Sequence, residues 1–116
     1  YIDDIAEGVV RALDREATPD THWSGSKPDP ASSCAPYKIY NIGNNQSVKL
    51  VDFINAIEDC LGIKAKLNLM PMQPGDVPAT RANVDDLIRD TGFQPNTNVR
   101  DGVARFVSWY RYYYKV

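Results

Sequence analysis

The chain has 116 residues, of which 43% are hydrophobic and 24% charged, so it holds one globular domain at most and is neither disordered nor fibrous. Its formal net charge is −2 and no basic stripe runs along it, which argues against a nucleic-acid partner. No apolar stretch is long enough to cross a bilayer, so we expect no membrane partner. Cys34 and Cys60 stand alone, and we expect two free thiols in a reducing, cytoplasmic compartment.

The first predicted element is a helix over residues 2–13, in which apolar residues recur at helical spacing from Ile2 onward. The chain opens inside this pattern, without a Met, a cap or a lead-in. We therefore expect it to be a piece of something longer, whose function is that of a part. Residues 16–36, rich in Pro and Ser and without an apolar period, are predicted to form a long surface loop.

Two predicted strands and a helix follow. Residues 37–42 alternate and are rich in β-forming residues, and residues 65–70 form a second such run, so each is predicted to be a strand. Between them, apolar residues at helical spacing predict a helix that begins at Ser47 or Lys49, runs to Leu61 and stops at Gly62.

The last two predicted elements are helices. A short helix over residues 84–90 has Asn83 as its N-cap and ends at Gly92, and a helix over residues 98–114 is capped by Thr97. The predicted fold class is therefore α/β, or α+β-like, with a small mixed sheet of two or three short strands and four helices. Two strands seldom form an independent sheet. We expect an exposed apolar face through which the chain could self-associate.

A complete catalytic apparatus is absent from the sequence. The seven glycines lie at least ten residues apart, which excludes the glycine-rich turn that cradles a dinucleotide. No Tyr is followed four residues later by Lys, and His22 is the only histidine. No carboxylate–histidine cluster indicates a metal site. We expect no catalytic residue, no bound cofactor and no metal in this chain.

The best candidate for a binding site is the loop over residues 72–78, where prolines flank Gly75 and the glycine permits a tight turn. This loop presents Gln73 and Asp76 together. A carboxylate can accept two hydroxyl groups at once, which suits the vicinal diol of a ribose, and a neutral amide suits a base or sugar edge. The alternative is that Asp76 merely caps the following segment, and spacing alone favours that alternative.

A second candidate lies at the end of the first predicted strand. Residues 40–44 read strand end and glycine turn, and Ser47 and Val48 open the next helix. Ligands favour the carboxyl ends of strands in α/β folds. The alternative is that Asn41 satisfies backbone groups at the turn. The aromatic-rich residues 106–114 are expected to pack as a terminal helix, with Tyr hydroxyls reaching water.

Five short motifs occur along the chain in a fixed order. They are Tyr-Ile-Asp-Asp-Ile-Ala-Glu-Gly, Tyr-Asn-Ile-Gly-Asn, Gln-Pro-Gly-Asp-Val-Pro, Asp-Asp-Leu-Ile-Arg-Asp and Phe-Val-x-Trp-Tyr-Arg. In this order they resemble the C-terminal third of an extended short-chain dehydrogenase/reductase, and most closely the NAD-dependent UDP-glucuronate 4-epimerases. The resemblance covers nearly the whole chain except residues 16–36.

The resemblance implies that residues 1–116 form a nucleotide-sugar-binding domain, and that an N-terminal Rossmann domain with NAD and the Tyr-x-x-x-Lys motif lies outside this chain. Asp76 would contact the ribose hydroxyls, Gln73 would lie near the diphosphate, and Val48 would lie close to the nucleotide. The intact enzyme would convert UDP-glucuronate to UDP-galacturonate for polysaccharide biosynthesis. This chain alone would be inactive.

The sequence departs from the family at residues 80–83, which read Thr-Arg-Ala-Asn where the family commonly has Thr-Tyr-Ala-Asp. Asn83 can still cap a helix, whereas Arg81 changes the packing beside the loop. Two alternatives stay open. The chain could be the same region of another nucleotide-sugar epimerase or dehydratase, or it could be an association module with no catalytic role.

Overall fold

A computed structural model describes the whole chain, residues 1–116. Its helices are α1 (Ile2–Leu13), α2 (Leu50–Leu61), α3 (Asp85–Thr91) and α4 (Val99–Tyr114). They fall into two compact units. The α1/α3 unit comprises residues 2–45 and 82–96, and the α2/α4 unit comprises Tyr1 with residues 46–81 and 97–116.

The four predicted helices are confirmed to within a few residues, and both glycine stops are correct. Gly62 follows α2 with φ +70°, and its N–H donates to the carbonyl oxygen of Glu58 at 2.8 Å. Gly92 follows α3 in the same way, with φ +69° and an N–H that donates to the carbonyl oxygen of Ile88. Glycine reaches this left-handed conformation without the steric penalty of a Cβ, so it ends both helices cleanly.

Two predicted N-caps need correction. Asn98 caps α4 in place of Thr97, because the Asn98 side chain accepts a hydrogen bond from the backbone N–H of Asp101 at 2.9 Å. At α3 the cap position belongs to Val84, one residue later than predicted. Asn83 still accepts from the backbone N–H of Asp85 at 3.0 Å, so its side chain satisfies one of the free donors of that helix.

The core of the α2/α4 unit lies where these two helices pack together. Its buried residues are Ala56, Val103 and Val107, and partly buried apolar residues surround them: Ile57, Cys60, Leu61 and Val99. The α4 members recur every four residues, which sets them on one face of the helix. Arg100 extends the contact at the surface through an ion pair with Asp59 at 2.8 Å.

The α1/α3 unit buries Val84 and Leu87, each 1% exposed, and it packs α1 through Gly8. A Cβ at Gly8 would lie 2.9 Å from Cγ2 of Ile42 and 3.5 Å from the ring of Phe93. The absence of a side chain at this position therefore lets the helix backbone approach its neighbours closely.

The apolar stripe of α1 does not face the interior of its unit. Gly8 is the buried residue of this helix, whereas the large apolar residues lie on a different arc and are exposed, up to 81% for Leu13. Those residues are Ile2, Ile5, Val9, Val10 and Leu13, and we call them the α1 stripe. An apolar helix face without a partner typically marks an interaction surface.

The total surface area supports the same conclusion. The chain exposes 9437 Å² for a mass of 13.0 kDa, whereas a compact monomer of that mass exposes roughly 6,300 Å². Even two separate compact bodies of half the mass would expose only about 7,700 Å² together. The chain thus leaves much surface uncovered, and the exposed large apolar side chains form part of it, as the sequence predicts.

The predicted α/β fold class is wrong, because the structure contains four helices and no strand or sheet. Residues 37–42 contribute one isolated bridge, between Ser32 and Lys38, and residues 65–70 belong to no ladder. A strand requires a second backbone that exchanges hydrogen bonds with it. Alternating residues encode a segment with two faces and do not supply that partner, as the 89% exposure of Leu69 shows.

Candidate functional site

The loop that carries Gln73 and Asp76 forms a tight turn. The backbone N–H of Asp76 donates to the carbonyl oxygen of Gln73 at 3.2 Å, and Gly75 has φ +94°. Proline at the second position and a glycine with positive φ at the third are the requirements of a type II turn, and Pro74 and Gly75 meet them. The turn places Gln73 and Asp76 at its two ends.

Both of these side chains are exposed to solvent and so are accessible to a ligand. An exposed carboxylate can accept hydrogen bonds from two adjacent hydroxyl groups, and the amide of Gln73 can both donate and accept. Neither can act as a nucleophile or a base here without a reacting partner within hydrogen-bond distance.

A surface cavity of about 540 Å³ lies in the same α2/α4 unit. Two segments form its walls, residues 47–53 at the start of α2 and residues 77–80 directly after the turn. Its lining residues are Ser47, Val48, Lys49, Leu50, Phe53, Val77, Pro78, Ala79 and Thr80. Its volume and mostly apolar lining fall in the range of small-molecule pockets.

The cavity includes one of the three predicted site residues. Val48 is part of its wall, whereas Gln73 and Asp76 do not line it. The turn leads directly into Val77, which does. The hydroxyl of Ser47 donates to the carbonyl oxygen of Thr80 at 3.1 Å and so joins the two walls.

The second candidate site, at residues 40–44, contacts other residues of the same chain. The amide of Asn41 donates to the carbonyl oxygen of Asn83 at 3.4 Å, and a Cβ at Gly43 would meet the Cβ of Ala82 at 3.1 Å. Asn41 therefore satisfies a backbone group, but that group belongs to Asn83, 42 residues away, and not to the turn that the alternative named.

The α1/α3 unit also contains a network of charged side chains that the sequence did not predict. The ammonium of Lys38 donates to Asp86 at 2.7 Å, and Arg89 pairs with Asp86 at 2.7 Å and with Asp90 at 2.9 Å. Tyr40 donates its hydroxyl to Asp90 at 3.0 Å. The sequence contains no local signal for the pair of Lys38 and Asp86, because the two residues lie 48 positions apart.

The network shifts the pKa values of its members. The hydrogen bond from Lys38 lowers the pKa of Asp86, and the same bond raises the pKa of Lys38. Burial, followed by the hydrogen bond to Asp90, raises the pKa of Tyr40. A second cavity, of about 280 Å³, borders these residues. Because each charge of the network is already paired, its evident role is to fasten residues 38–40 to α3.

No set of residues here fits a metal or a dinucleotide. The chain contains no group of three or more His, Cys, Asp or Glu side chains that could hold a metal ion. Cys34 and Cys60 are free thiols. The glycines are too widely spaced for a dinucleotide turn, so we assign no step of hydride transfer to this chain. No helix combines the length and apolarity that crossing a membrane requires.

Comparison with known proteins identifies longer relatives. No family model matches the chain. Protein CapI of Staphylococcus aureus is 56% identical over 115 residues, which are 99% of this chain and 34% of that protein. The probable UDP-glucuronate 4-epimerase of Rhizobium meliloti (strain 1021) is 40% identical over 116 residues, and the match covers 99% of this chain and 34% of that protein. The chain is homologous to UDP-glucuronate 4-epimerases.

UDP-glucuronate 4-epimerase 2 of Arabidopsis thaliana extends the relationship to a plant, with 39% identity over 116 residues, 99% of this chain and 26% of that protein. The resemblance to UDP-glucuronate 4-epimerases that the five motifs indicate is therefore confirmed. The chain spans about a third of the length of its relatives from S. aureus and R. meliloti. Their homology supports a section of an epimerase, and the activity of a whole epimerase is a proposal for this chain.

Proposed function

We propose that this chain is the nucleotide-sugar-binding part of an NAD-dependent UDP-glucuronate 4-epimerase of the extended short-chain dehydrogenase/reductase class. One observation carries the proposal: the turn that presents Gln73 and Asp76 leads directly into a wall of the cavity that contains Val48. In a chain whose relatives include UDP-glucuronate 4-epimerases, such a site suits a nucleoside diphosphate sugar.

The chemistry of each residue supports its proposed role. Asp76 would accept hydrogen bonds from the two ribose hydroxyls, and Gln73 would donate its amide N–H groups to the diphosphate. Val48 would contact the nucleotide from the cavity wall. Among the lining residues Lys49 is a cation and none is an acid, so the charge of the cavity also favours an anionic ligand.

The remainder of the longer protein would supply the catalytic centre. Oxidation at C4 of UDP-glucuronate requires NAD and a proton-transfer group, for which this chain has no motif. The exposed α1 stripe and the excess accessible surface support a partner domain that covers them. On this proposal the pure chain neither binds NAD nor forms UDP-galacturonate. The two free thiols suit a reducing compartment, for which we propose the cytoplasm.

The proposal is tested by a calorimetric titration of the chain with UDP-glucuronate. We expect weak, saturable binding that is lost in Asp76→Ala, because the diol then has no bidentate acceptor. Asp14→Ala is the matched control, since it removes another exposed carboxylate and makes the same change in net charge. Binding that survives in Asp76→Ala, or fails in both variants, contradicts the role of Asp76.

The sugar is tested with competing ligands. UDP-N-acetylglucosamine and dTDP-glucose should bind more weakly than UDP-glucuronate if the chain comes from a glucuronate epimerase. Preference for either competitor would assign the chain to another nucleotide-sugar enzyme. A folded sample that binds none of the three would contradict a nucleotide site within this chain.

A further inference from the structure

Lys49 stands at a position that does not suit the helix it precedes. It is the N-cap residue of α2, with φ −67° and ψ 139°, and its side chain makes no capping hydrogen bond. The favoured N-cap residues are Ser, Thr, Asp and Asn, whose oxygens accept from the free N–H groups of the first turn. A lysine has no acceptor, and its charge is repelled by the positive end of the helix dipole. The fold of α2 therefore gives no reason for a lysine here.

The ammonium group of Lys49 has no partner within the chain. Each of the six ion pairs is made by another lysine or arginine. Asp52 lies three residues further along α2, a spacing that permits an ion pair, yet none of those pairs joins it to Lys49. The backbone carbonyl of Lys49 is already occupied, since it accepts from the N–H groups of Asp52 and Phe53. The charge on the side chain is thus available to a ligand.

Lys49 lies in the wall of the 540 Å³ cavity and is the one charged residue of that wall. Apart from the hydroxyl groups of Ser47 and Thr80, the other lining side chains are apolar. The Ser47 hydroxyl donates to the carbonyl oxygen of Thr80 at 3.1 Å, so it is engaged within the chain. Apolar walls lower the local dielectric constant, which strengthens the attraction between the ammonium group and an anion. Lys49 is therefore the group of this cavity that can bind a negative charge.

We propose that Lys49 is a substrate-binding residue that forms an ion pair with the diphosphate of the nucleotide sugar, a proposal that rests on the function proposed for this chain. The preceding residue, Val48, is the proposed contact of the nucleotide and lines the same cavity. Lys49 would thus lie at the nucleotide end of the ligand. The diphosphate adjoins the nucleoside there, whereas the carboxylate of glucuronate is at the far end of the sugar.

The charge of the diphosphate requires a cation that the other proposed contacts do not supply. Gln73 is neutral, so it can donate to the diphosphate without balancing its charge. Asp76 is an acid and suits only the ribose hydroxyls. A bound anion beside Lys49 would also remove the conflict with the helix dipole, because negative charge is favoured at the start of a helix. A residue that opposes the stability of its own helix is typical of a functional site.

The test is an NMR titration of the 116-residue chain with UDP and with UDP-glucuronate. We expect Lys49→Met to weaken the binding of both ligands about tenfold, which corresponds to the loss of one hydrogen bond to a charged group. The effect should shrink as salt is added, because salt screens the ion pair. Lys66→Met is the matched control, since it makes the same change at another exposed lysine, outside the cavity. Lys49→Arg keeps the charge and should retain most of the affinity.

A further variant separates binding from a structural role. Lys49→Ser introduces a favoured N-cap at a residue that already has extended backbone geometry. It should therefore raise the urea midpoint of unfolding while it weakens the binding of UDP as much as Lys49→Met does. A structural role for Lys49 predicts the opposite change in the midpoint, so a lower midpoint in Lys49→Ser contradicts the proposal.

The binding data can overturn the proposal in three further ways. Lys49→Met could bind UDP like the wild type, as it would if Lys49 served to pair with the remainder of a longer protein. Lys66→Met could lose as much affinity as Lys49→Met, which would indicate an effect of net charge alone. A loss confined to UDP-glucuronate would assign Lys49 to the carboxylate of the sugar. In each of these cases the wild type still binds UDP and the proposed function stands, whereas a wild type that binds neither ligand overturns both.

Discussion

Replacement of Gly8 by alanine should destabilise the chain, although the same change in most helices is stabilising. Gly8 lies in the interior of α1 and is its buried residue. Alanine at an interior helix position is favoured over glycine by about 1 kcal/mol. Against this, the new Cβ would lie 2.9 Å from Cγ2 and 3.3 Å from Cδ1 of Ile42.

The 2.9 Å distance to Cγ2 of Ile42 decides that the substitution is destabilising. Real Cβ atoms essentially never lie within 3.0 Å of another carbon, so Ile42 or α1 must shift. Cγ2 is fixed to the branched Cβ of isoleucine and cannot swing away without a change of rotamer. Inserting a methyl group into such a contact costs roughly 1–3 kcal/mol. We therefore expect Gly8→Ala to lower the free energy of unfolding by about 1 kcal/mol.

The assay is urea denaturation followed by circular dichroism, with Gly102→Ala as the matched control. Gly102 is also helical, but a Cβ there would find its nearest neighbour, Cδ2 of Tyr1, at an ordinary 3.4 Å. That variant should gain up to about 1 kcal/mol. In a double-mutant cycle, Ile42→Ala should cost less in the Gly8→Ala background, with a coupling of about 1 kcal/mol.

The reasoning is refuted if Gly8→Ala stabilises the chain as much as Gly102→Ala does. It is also refuted if Gly8→Ala destabilises the chain but shows no coupling to Ile42→Ala. The first result would mean that α1 does not approach Ile42 this closely. The second would mean that the cost has a source other than this contact.

Three further predictions concern stability. The hydrogen bond from Lys38 lowers the pKa of Asp86, so the ionised Asp86 stabilises the folded chain fully above the usual pKa of 3.8. This stability is lost as the pH falls through the lower pKa of the folded state. An acid titration of the free energy of unfolding should show the loss, and Lys38→Met should make it smaller. Asn98→Ala should cost about 1 kcal/mol in urea denaturation by removing the cap of α4, whereas Asn98→Ser should retain most of it. Leu87→Ala should cost roughly 2–5 kcal/mol in the same assay, because it empties space at a fully buried side chain, and a smaller loss would show that the α1/α3 unit collapses around the cavity.

Helices were predictable from the sequence because their signals are local. The apolar spacing of α2 and α4 and the glycines at positions 62 and 92 set where each helix lies and ends. The choice between Thr97 and Asn98 as a cap was harder, since both residues can accept the hydrogen bond and the difference is one residue of phase. The structure decides for Asn98.

The absence of a sheet could not be predicted in this way, because a strand depends on a distant partner. Residues 37–42 and 65–70 have the composition of strands, and their alternation indicates two faces. The two segments lie in different compact units, and apart from the isolated bridge between Ser32 and Lys38 neither of them forms a ladder. Propensity reports how well a segment would fit a sheet and carries no information on whether one is there.

The candidate site likewise has one part that local sequence predicts and other parts that depend on distant contacts. The turn at residues 73–76 follows from Pro74 and Gly75, which fix local backbone geometry. The cavity beside Val48 depends on a contact across 33 residues, between Ser47 and Thr80, and the sequence contains no local signal for it. Lys38 and Asp86, 48 residues apart, form a pair that could be recognised only in the folded chain.

The α1 stripe shows that helical spacing predicts a helix and its apolar face but does not identify what that face packs against. The spacing of Ile2, Val9 and Leu13 is typical of a helix that faces a core, yet these residues are 53–81% exposed and the helix packs through Gly8. A free helix with this pattern would lower the solubility of the chain without contributing to its own stability. The relatives are about three times as long as this chain, so they contain enough additional protein to cover the stripe. The exposure of the stripe therefore fits the proposal that the chain is a section of a longer enzyme whose remaining domain packs against α1.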